Sequence, residues 1–211
     1  MRINEIIVES PNIATKTFKK LYHVGSMDAA QKRSGSYEGA GLSVSTHPDA
    51  WRRIARGFVT GDTFELTKQN NTFINANRLT GVQKNLILSW AEKNQLVEKS
   101  DIYRVSYYDD ELEDTVYSDY PDIESARHEA DSPEDIEKIS GGVKPTDKLK
   151  QATNNPHLSP TGILDYILPL YADTIGLDGV WWQDVLDVTR LSAPRGVIVP
   201  SKINTWNIIK I

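Results

Sequence analysis

The segment Gly179-Val-Trp-Trp-Gln-Asp184 constrains the fold most, because it places a carboxylate directly after an apolar run. Its β-branched and aromatic residues are typical of a buried strand. Such a strand would deliver Gln183 and Asp184 to its end. A carboxylate beside a low-dielectric aromatic wall acts on a developing cation more strongly than one in bulk water. The alternative is that Asp184 only opens the turn before Leu186.

Two earlier segments predict short strands that end in polar residues. Leu21-Tyr-His-Val-Gly-Ser26 indicates a strand with His23 near its end and a turn after it. Gly39-Ala-Gly-Leu-Ser-Val-Ser-Thr46 indicates a second strand, whose hydroxyl side chains are Ser43, Ser45 and Thr46. For His23, a purely structural role is the alternative to ligand binding.

A helix is predicted directly after the second strand. Proline is favoured at the first helical position, so Pro48 marks its start, and the helix continues through Trp51 to Ala55. Trp51 is a candidate to contact a ligand. The alternative is that Trp51 packs beside Ile54 in the core.

The rest of the chain predicts short elements without an internal repeat. In chain order they are a strand at 63–67, an amphipathic helix at 82–97, a hairpin of 102–108 with 115–117, helices at 123–130 and 133–140, a surface loop at 151–160, a helix at 161–175, and strands at 195–199 and 206–211. Gly141 and Gly142 are expected to end the second acidic helix.

This irregular order argues against a doubly wound parallel sheet and favours an α+β fold. A glycine-rich dinucleotide fingerprint is absent, since Gly35, Gly39 and Gly41 do not fit its spacing. At 211 residues, the chain suits a single domain over 1–211 that carries an insertion at about 70–150.

The predicted insertion is strongly acidic. Between Asp109 and Glu137 the sequence has thirteen acidic residues and one base, Arg127, whereas the rest of the chain has 16 acids and 23 bases. Such a block repels nucleic acid, which argues against a nucleic-acid partner, and attracts a basic protein surface. The alternative is a solvated face that only keeps the protein soluble.

Composition excludes several other classes of protein. The chain has no cysteine and only four histidines, so we expect neither disulfides nor a metal site. No apolar run approaches the ~20 residues that a membrane helix needs, and the first residues lack the apolar core of a signal peptide. The sequence therefore predicts a cytoplasmic protein.

The order of a histidine strand, a Ser/Thr strand with a helix behind it, and a late carboxylate resembles the ADP-ribosyltransferase superfamily. It is most similar to the branch of diphtheria-type toxins and poly-ADP-ribose polymerases. The stretch Val180–Asp184 is also similar to the carboxylate segment of a phage anti-CRISPR ADP-ribosyltransferase. The resemblance covers roughly residues 20–60 and 160–211. It implies a split pair of small antiparallel sheets, with NAD in the cleft between them.

The resemblance also implies roles for individual residues. Asp184 would stabilise the oxocarbenium-like ribose, and His23 would hydrogen-bond a ribose hydroxyl. Main-chain groups at Val24 would hold the nicotinamide carboxamide. The catalytic positions implied are Asp184 and His23, and the NAD-binding positions are His23, Val24, Gly25, Ser43, Ser45, Thr46, Trp51 and Gln183. NAD enters as a substrate, and no metal is implied.

Two departures from the family pattern bear on the acceptor. Trp182 stands where arginine-modifying relatives carry Glu or Gln, and Gln183 lies directly beside Asp184. An amide, carboxylate, hydroxyl or nucleobase acceptor is therefore favoured over arginine.

A further departure concerns the binding of NAD. Ser43 replaces the usual stacking aromatic residue of the family, a role that Trp51 could take.

The expected function is mono-ADP-ribosylation of a macromolecular target, in particular a host or defence protein in the bacterial cytoplasm if the chain is phage-encoded. Two alternatives stay open. One is a catalytically inactive scaffold that binds through its acidic insertion. The other is an NAD glycohydrolase, which transfers ADP-ribose to water and needs no acceptor.

Overall fold

The computed structural model describes residues 13–27, 41–54, 61–110, 113–186 and 193–211. They form a mixed α+β arrangement of several helices and small sheets. The helices are α1 (Pro48–Ile54), α2 (Gly81–Lys93), α3 (Ile123–Glu129), α4 (Asp147–Ala152) and α5 (Ile163–Thr174). The strands are β1 (Thr15–Lys16), β2 (Leu21–Val24), β3 (Leu42–Val44), β4 (Thr63–Thr67), β5 (Phe73–Asn75), β6 (Val97–Asp109), β7 (Asp114–Tyr120), β8 (Ile136–Pro145), β9 (Gly179–Gln183), β10 (Arg195–Ile198) and β11 (Asn207–Lys210).

The chain forms two compact units. The first unit comprises residues 13–27, 41–54, 61–86, 168–186 and 193–211 of the described chain, and the second comprises 87–110 and 113–167. The second unit begins and ends later than the insertion expected at about 70–150. The reason for the later start is that β5 lies within that range and pairs with β9 in a sheet of the first unit.

The first unit contains two sheets. One has the strand order β1-β5-β9-β10-β3, and the other has the order β11-β4-β2. The three-stranded sheet is antiparallel throughout. The five-stranded sheet departs from the expected antiparallel pattern, because β5 and β9 run parallel to each other. The other neighbouring strands of this sheet pair antiparallel.

The core of the first unit draws side chains from both of these sheets. Leu42 and Val44 of β3 are buried, and Ser43 between them is more exposed, as expected for alternating sides of a strand. One cluster of buried side chains comprises Leu21, Leu42, Val44, Leu66, Phe73, Trp181, Ile198 and Trp206. The strands around residues 21–24, 42–44, 63–67 and 179–183 are thus confirmed with their apolar residues inside.

Trp181 is the largest fully buried side chain of the described chain, and Gly196 on the neighbouring strand leaves room for its ring. A Cβ at Gly196 would overlap Cε3 of Trp181 and the main-chain oxygen of Val180. A Cβ at Gly179 would overlap the main-chain oxygen of Val197. Strands β9 and β10 therefore approach more closely than side chains at these two positions would permit, and Gly196 is the one that leaves room for the Trp181 ring.

The second unit is built on an antiparallel sheet of order β7-β6-β8. The predicted hairpin is confirmed, with Tyr107 opposite Val116 near its tip. The helix predicted at 133–140 is wrong, because this segment starts as a 3₁₀ turn and continues as β8. Gly142 lies opposite Ser100 in the ladder, and a Cβ there would overlap the side chain of Ile102. The two glycines therefore belong to a strand, not to a helix end.

Other predicted elements differ from the structure in their bounds or in how deeply they are buried. Helix α1 matches the predicted start at Pro48, whereas Ala55 lies outside the described residues. Helix α2 ends at Lys93, since Gln95 has a φ of 57° and Val97 already begins β6. The loop predicted on the surface at 151–160 buries Thr153, Asn155 and Leu158.

In the part of the chain that the structure describes, every helix is too short or too polar to cross a membrane.

The close approach at Gly196 predicts a large effect of a single methyl group. Gly196→Ala should lower the free energy of unfolding by about 1–3 kcal/mol, because backbone and a buried ring cannot easily move aside. Chemical denaturation measures this change. Gly81→Ala is the matched control, since its Cβ would have no neighbour within 4 Å and alanine favours the helix. Equal stability of the two variants would contradict this account of β9 and β10.

Candidate functional site

Asp184 follows β9 directly and is held in place by two donors. The indole Nε1–H of Trp181 donates to its Oδ1 at 2.7 Å. Lys16 of β1 forms an ion pair with the same oxygen. The side chain of Asp184 is 48% exposed, although the ring that holds it is fully buried. Because both donors use Oδ1, neither bond requires Oδ2.

The pKa of Asp184 is lowered in the folded chain. Partial burial by itself raises the pKa, but hydrogen bonds from Lys16 and Trp181 and the charges of Lys16 and Arg78 outweigh it. The carboxyl group is therefore ionised at neutral pH. This is the state that can stabilise a neighbouring positive charge.

Several strands of the five-stranded sheet end at the same edge as β9. Gly196 of β10 lies opposite both Trp181 of β9 and Val44 of β3. Since neighbouring strands are about 4.8 Å apart, Val44 and Trp181 are about 10 Å apart. Asn75 of the parallel strand β5 lies in register with Trp181. Asp184 and the hydroxyl-bearing end of β3 thus share one edge of the sheet.

His23 ties β2 to neighbouring backbone. Its Nδ1 lies 2.8 Å from the carbonyl oxygen of Ser43, and its Nε2 lies 3.0 Å from that of Ser26. A carbonyl oxygen only accepts, so each contact is a hydrogen bond when that nitrogen carries hydrogen. The ring is buried and stacks near Phe64, with 6.2 Å between centroids. A ribose hydroxyl would have to replace one of these carbonyl contacts.

The two sheets of the first unit are joined near His23 by an isolated bridge. Tyr22 exchanges both main-chain hydrogen bonds with Ser45 at 2.8 and 2.9 Å. Gly25 N–H, three residues later, donates to Asp62 at the opposite side of β2. Because main-chain groups alternate along an antiparallel strand, those of Val24 point the same way as those of Tyr22, away from β4. The N–H and C=O of Val24 therefore face the side of β2 on which Tyr22 pairs with Ser45.

Gly25 lies where only glycine fits well. Its φ is 134°, a conformation that other residues rarely adopt. A Cβ at Gly61 would come within 2.8 Å of the Gly25 Cα. The turn after β2 therefore packs backbone against backbone beside the predicted site.

The predicted hydroxyl residues have different surroundings. The buried hydroxyl of Ser45 donates to the Pro194 carbonyl at 2.5 Å and accepts from the His47 N–H at 3.0 Å. It therefore holds β10 and the start of α1. Ser43 contributes its carbonyl to His23, and Thr46 contacts the His47 ring at 3.0 Å.

The two remaining candidates are Gln183 on β9 and Trp51 on α1. Gln183 faces Arg195 across β9 and β10, and its side-chain amide donates to the Val185 carbonyl at 3.3 Å. Trp51 lies on α1, but its side chain falls outside what the structure describes, so its predicted ligand contact stays a prediction.

Sequence reasoning missed three charged or polar neighbours of this edge. Lys16 belongs to a segment that carries no recognisable motif, and Arg78 follows β5 in a short 3₁₀ turn. Asn75 is 4% exposed, and its Oδ1 is buried without a hydrogen-bond partner among the described residues. A strand pairing between β5 and β9 was the only signal that could have located Asn75 and Arg78. An orphan acceptor suits a ligand that brings an N–H or O–H donor.

Across the described residues, no group of three or more His, Asp or Glu side chains is arranged to hold a metal ion. Compared with known proteins, the chain matches no family model, no curated protein and no solved structure.

The contacts of His23 predict a loss of stability when the ring is removed. His23→Ala leaves two carbonyls without this partner, so the free energy of unfolding should fall by about 1–3 kcal/mol. A thermal melt measures this change, and calorimetric titration with NAD measures affinity per folded molecule. His157→Ala, which removes an exposed ring, is the control. A His23→Ala chain that melts like wild type would refute the structural role, and normal NAD affinity would refute the ribose contact.

Proposed function

We propose that this chain is a mono-ADP-ribosyltransferase that uses NAD as donor and a macromolecule as acceptor. The observation that carries the proposal is the ionised Asp184 at the end of β9, held by the indole of a fully buried tryptophan. The order of motifs along the chain supports the same function. Both lines lead to a carboxylate that faces a developing cation.

The reaction explains why one carboxylate suffices. When the bond between nicotinamide and ribose breaks, its electron pair returns to the ring nitrogen, and nicotinamide leaves as a neutral molecule. This leaving group needs no general acid, unlike that of most glycosidases. The positive charge moves to the ribose, where the charge of Asp184 stabilises it. The acceptor nucleophile then forms a bond to the ribose carbon and loses a proton.

His23 and Val24 have proposed roles in holding NAD. Val24 presents its main-chain N–H and C=O on the side of β2 that faces away from β4, where they are proposed to hold the carboxamide. His23 would exchange its contact with the Ser26 carbonyl for a ribose hydroxyl. The orphan oxygen of Asn75 offers one further acceptor near Trp181.

The acceptor is proposed to be a protein group other than arginine, because Trp182 replaces the polar residue that arginine-modifying relatives carry. The proposed setting is the cytoplasm, with a phage-type effector acting on a host or defence protein. That setting follows from the resemblance to an anti-CRISPR enzyme.

One observation favours an alternative function. The ammonium of Lys16 already compensates the negative charge of the ionised Asp184, as expected of an inactive scaffold that only binds partners. A scaffold releases no nicotinamide from NAD. A glycohydrolase releases it with water alone, and a transferase also attaches ADP-ribose to a target, which intact-mass analysis of a lysate detects.

Asp184→Asn tests the proposed catalytic carboxylate. It keeps an oxygen for the Trp181 N–H but removes the charge, so transfer should fall by about 10²–10³-fold while the fold is retained. Release of nicotinamide and the ADP-ribose adduct are the measurements. The matched control is Glu65→Gln, which removes the negative charge paired with another lysine, Lys20, and should leave the rate unchanged. A folded Asp184→Asn chain with the wild-type rate would refute the role of Asp184.

The target is proposed to present a basic surface to the tip of the β6–β7 hairpin. The described acids there include Asp110, Glu113 and Asp114, all of which are exposed. Tyr107, Tyr108 and Tyr117 near the tip are 46%, 63% and 57% exposed. Tyrosine is enriched at the centres of protein interfaces, and polar residues form their rims. One-signed charge chiefly speeds association and makes it sensitive to salt.

Neutralising the tip should separate target recognition from chemistry. Replacing Asp109, Asp110, Glu111, Glu113 and Asp114 with Ser should leave NAD hydrolysis intact and slow target modification at low salt. The defect should shrink at high salt, where wild type loses the same attraction. The matched control replaces five exposed acids elsewhere in the acidic block: Glu124, Glu129, Asp131, Glu134 and Glu137. Equal defects in both variants would show that net charge, not the tip, attracts the target.

A further inference from the structure

Lys16 occupies a position that no part of the proposed reaction explains. It lies on the edge strand β1, opposite Phe73, and its ammonium is ion-paired with Asp184. The same ammonium lies 5.4 Å from the ring centroid of Phe18 and 5.8 Å from that of Trp181. One cation thus contacts a carboxylate and two aromatic rings.

The two rings form a fixed wall. Their centroids are 4.3 Å apart, and Phe18 also packs edge-on against Phe73 at 5.2 Å. Aromatic faces attract cations, tryptophan most strongly, and a nearby carboxylate adds to that attraction. These contacts are the recognition elements for an organic cation, whichever molecule brings it.

We propose that Asp184, Trp181 and Phe18 form a cation site that Lys16 occupies, and that a planar organic cation must displace the Lys16 ammonium to reach Asp184. This inference deepens the proposed function and rests on it for the identity of the natural ligand, the nicotinamidium ring of NAD. Lys16 would then act as a built-in competitor of the donor.

The exposure of the pair makes displacement feasible. The side chain of Lys16 is 33% exposed, and that of Asp184 is 48% exposed. The lysine has a long flexible stem, so its ammonium can move into water while β1 stays paired with β5. Ion pairs of this exposure are weak, and a ligand that offers both charge and a ring surface competes with them.

Binding of an unreactive cation tests the site without turnover. The probe is 1-methylnicotinamide, a planar cation, and neutral nicotinamide is its uncharged counterpart. In calorimetry or tryptophan fluorescence, Lys16→Met should bind the cation about three- to fivefold more tightly than wild type, and nicotinamide equally weakly. Lys16→Arg keeps the charge and should bind the cation no more tightly than wild type.

Lys20→Met is the matched control. Lys20 is also ion-paired, with Glu65 at 2.8 Å, and lies 5.9 Å from the ring centroid of Tyr22. Its loss should leave affinity for the cation unchanged. Unchanged or weaker cation binding by Lys16→Met would overturn the proposal. An equal gain in affinity for neutral nicotinamide would also overturn it, because the gain would then come from the added space and not from the lost charge.

A second readout does not depend on any ligand. Lys16 lowers the pKa of Asp184 through a hydrogen bond and its charge, so Lys16→Met should raise that pKa, measured by carbon-13 titration of the carboxyl group. An unchanged value would overturn the pairing. If the cation binds as expected but NAD is never cleaved, the cation site stands and the proposed transferase fails. If NAD is cleaved equally by wild type and Lys16→Met, with equal cation affinity, the competitor role fails and the transferase stands.

Discussion

The burial of Trp181 is the constraint on which the first unit depends. Its ring fills the core, and only glycine at 196 leaves room for it beneath β10. Its indole N–H, however, reaches the sheet edge and fixes Asp184. Because one side chain serves both core and site, repacking around this ring should disturb the carboxylate together with the fold. The indole of Trp181 therefore ties Oδ1 of Asp184 to the core.

A second constraint is the isolated bridge between Tyr22 and Ser45, which joins the two sheets of the first unit. Ser45 is locked from three directions, since its backbone pairs with β2 while its hydroxyl binds Pro194 and His47. Beside this bridge, Nδ1 of His23 lies 2.8 Å from the Ser43 carbonyl and makes a further link between the sheets. Ser43 and Ser45, which the sequence presents as ligand contacts, thus also link the two sheets through their main-chain groups.

Local patterns predicted the elements whose determinants lie within the element. The apolar run at Val180 and the proline at 48 are such signals, and the strand and helix follow them. Pairings between distant segments were not predictable in the same way. The Gly141-Gly142 pair looked like a helix end because the side chain of Ile102, which requires Gly142, is some forty residues away in sequence. Lys16 was missed for the same reason, since its partner Asp184 follows it by 168 residues.

Strand β9 has an aspartate at each end, and their surroundings decide what each can do. Asp178 before the strand is 5% exposed, pairs with Lys68 at 2.5 Å and accepts from the Thr72 N–H at 2.8 Å. Removing Lys68 would leave the buried carboxylate of Asp178 without its counter-ion, which is costly, so this pair is suited to stability. Asp184 after the strand is half-exposed together with its partner Lys16. Its Oδ2 takes no part in the bonds from Lys16 and Trp181, which both use Oδ1. The same residue pair is thus structural where it is buried and exchangeable where it is half-exposed, and only the exchangeable one can meet a ligand's charge.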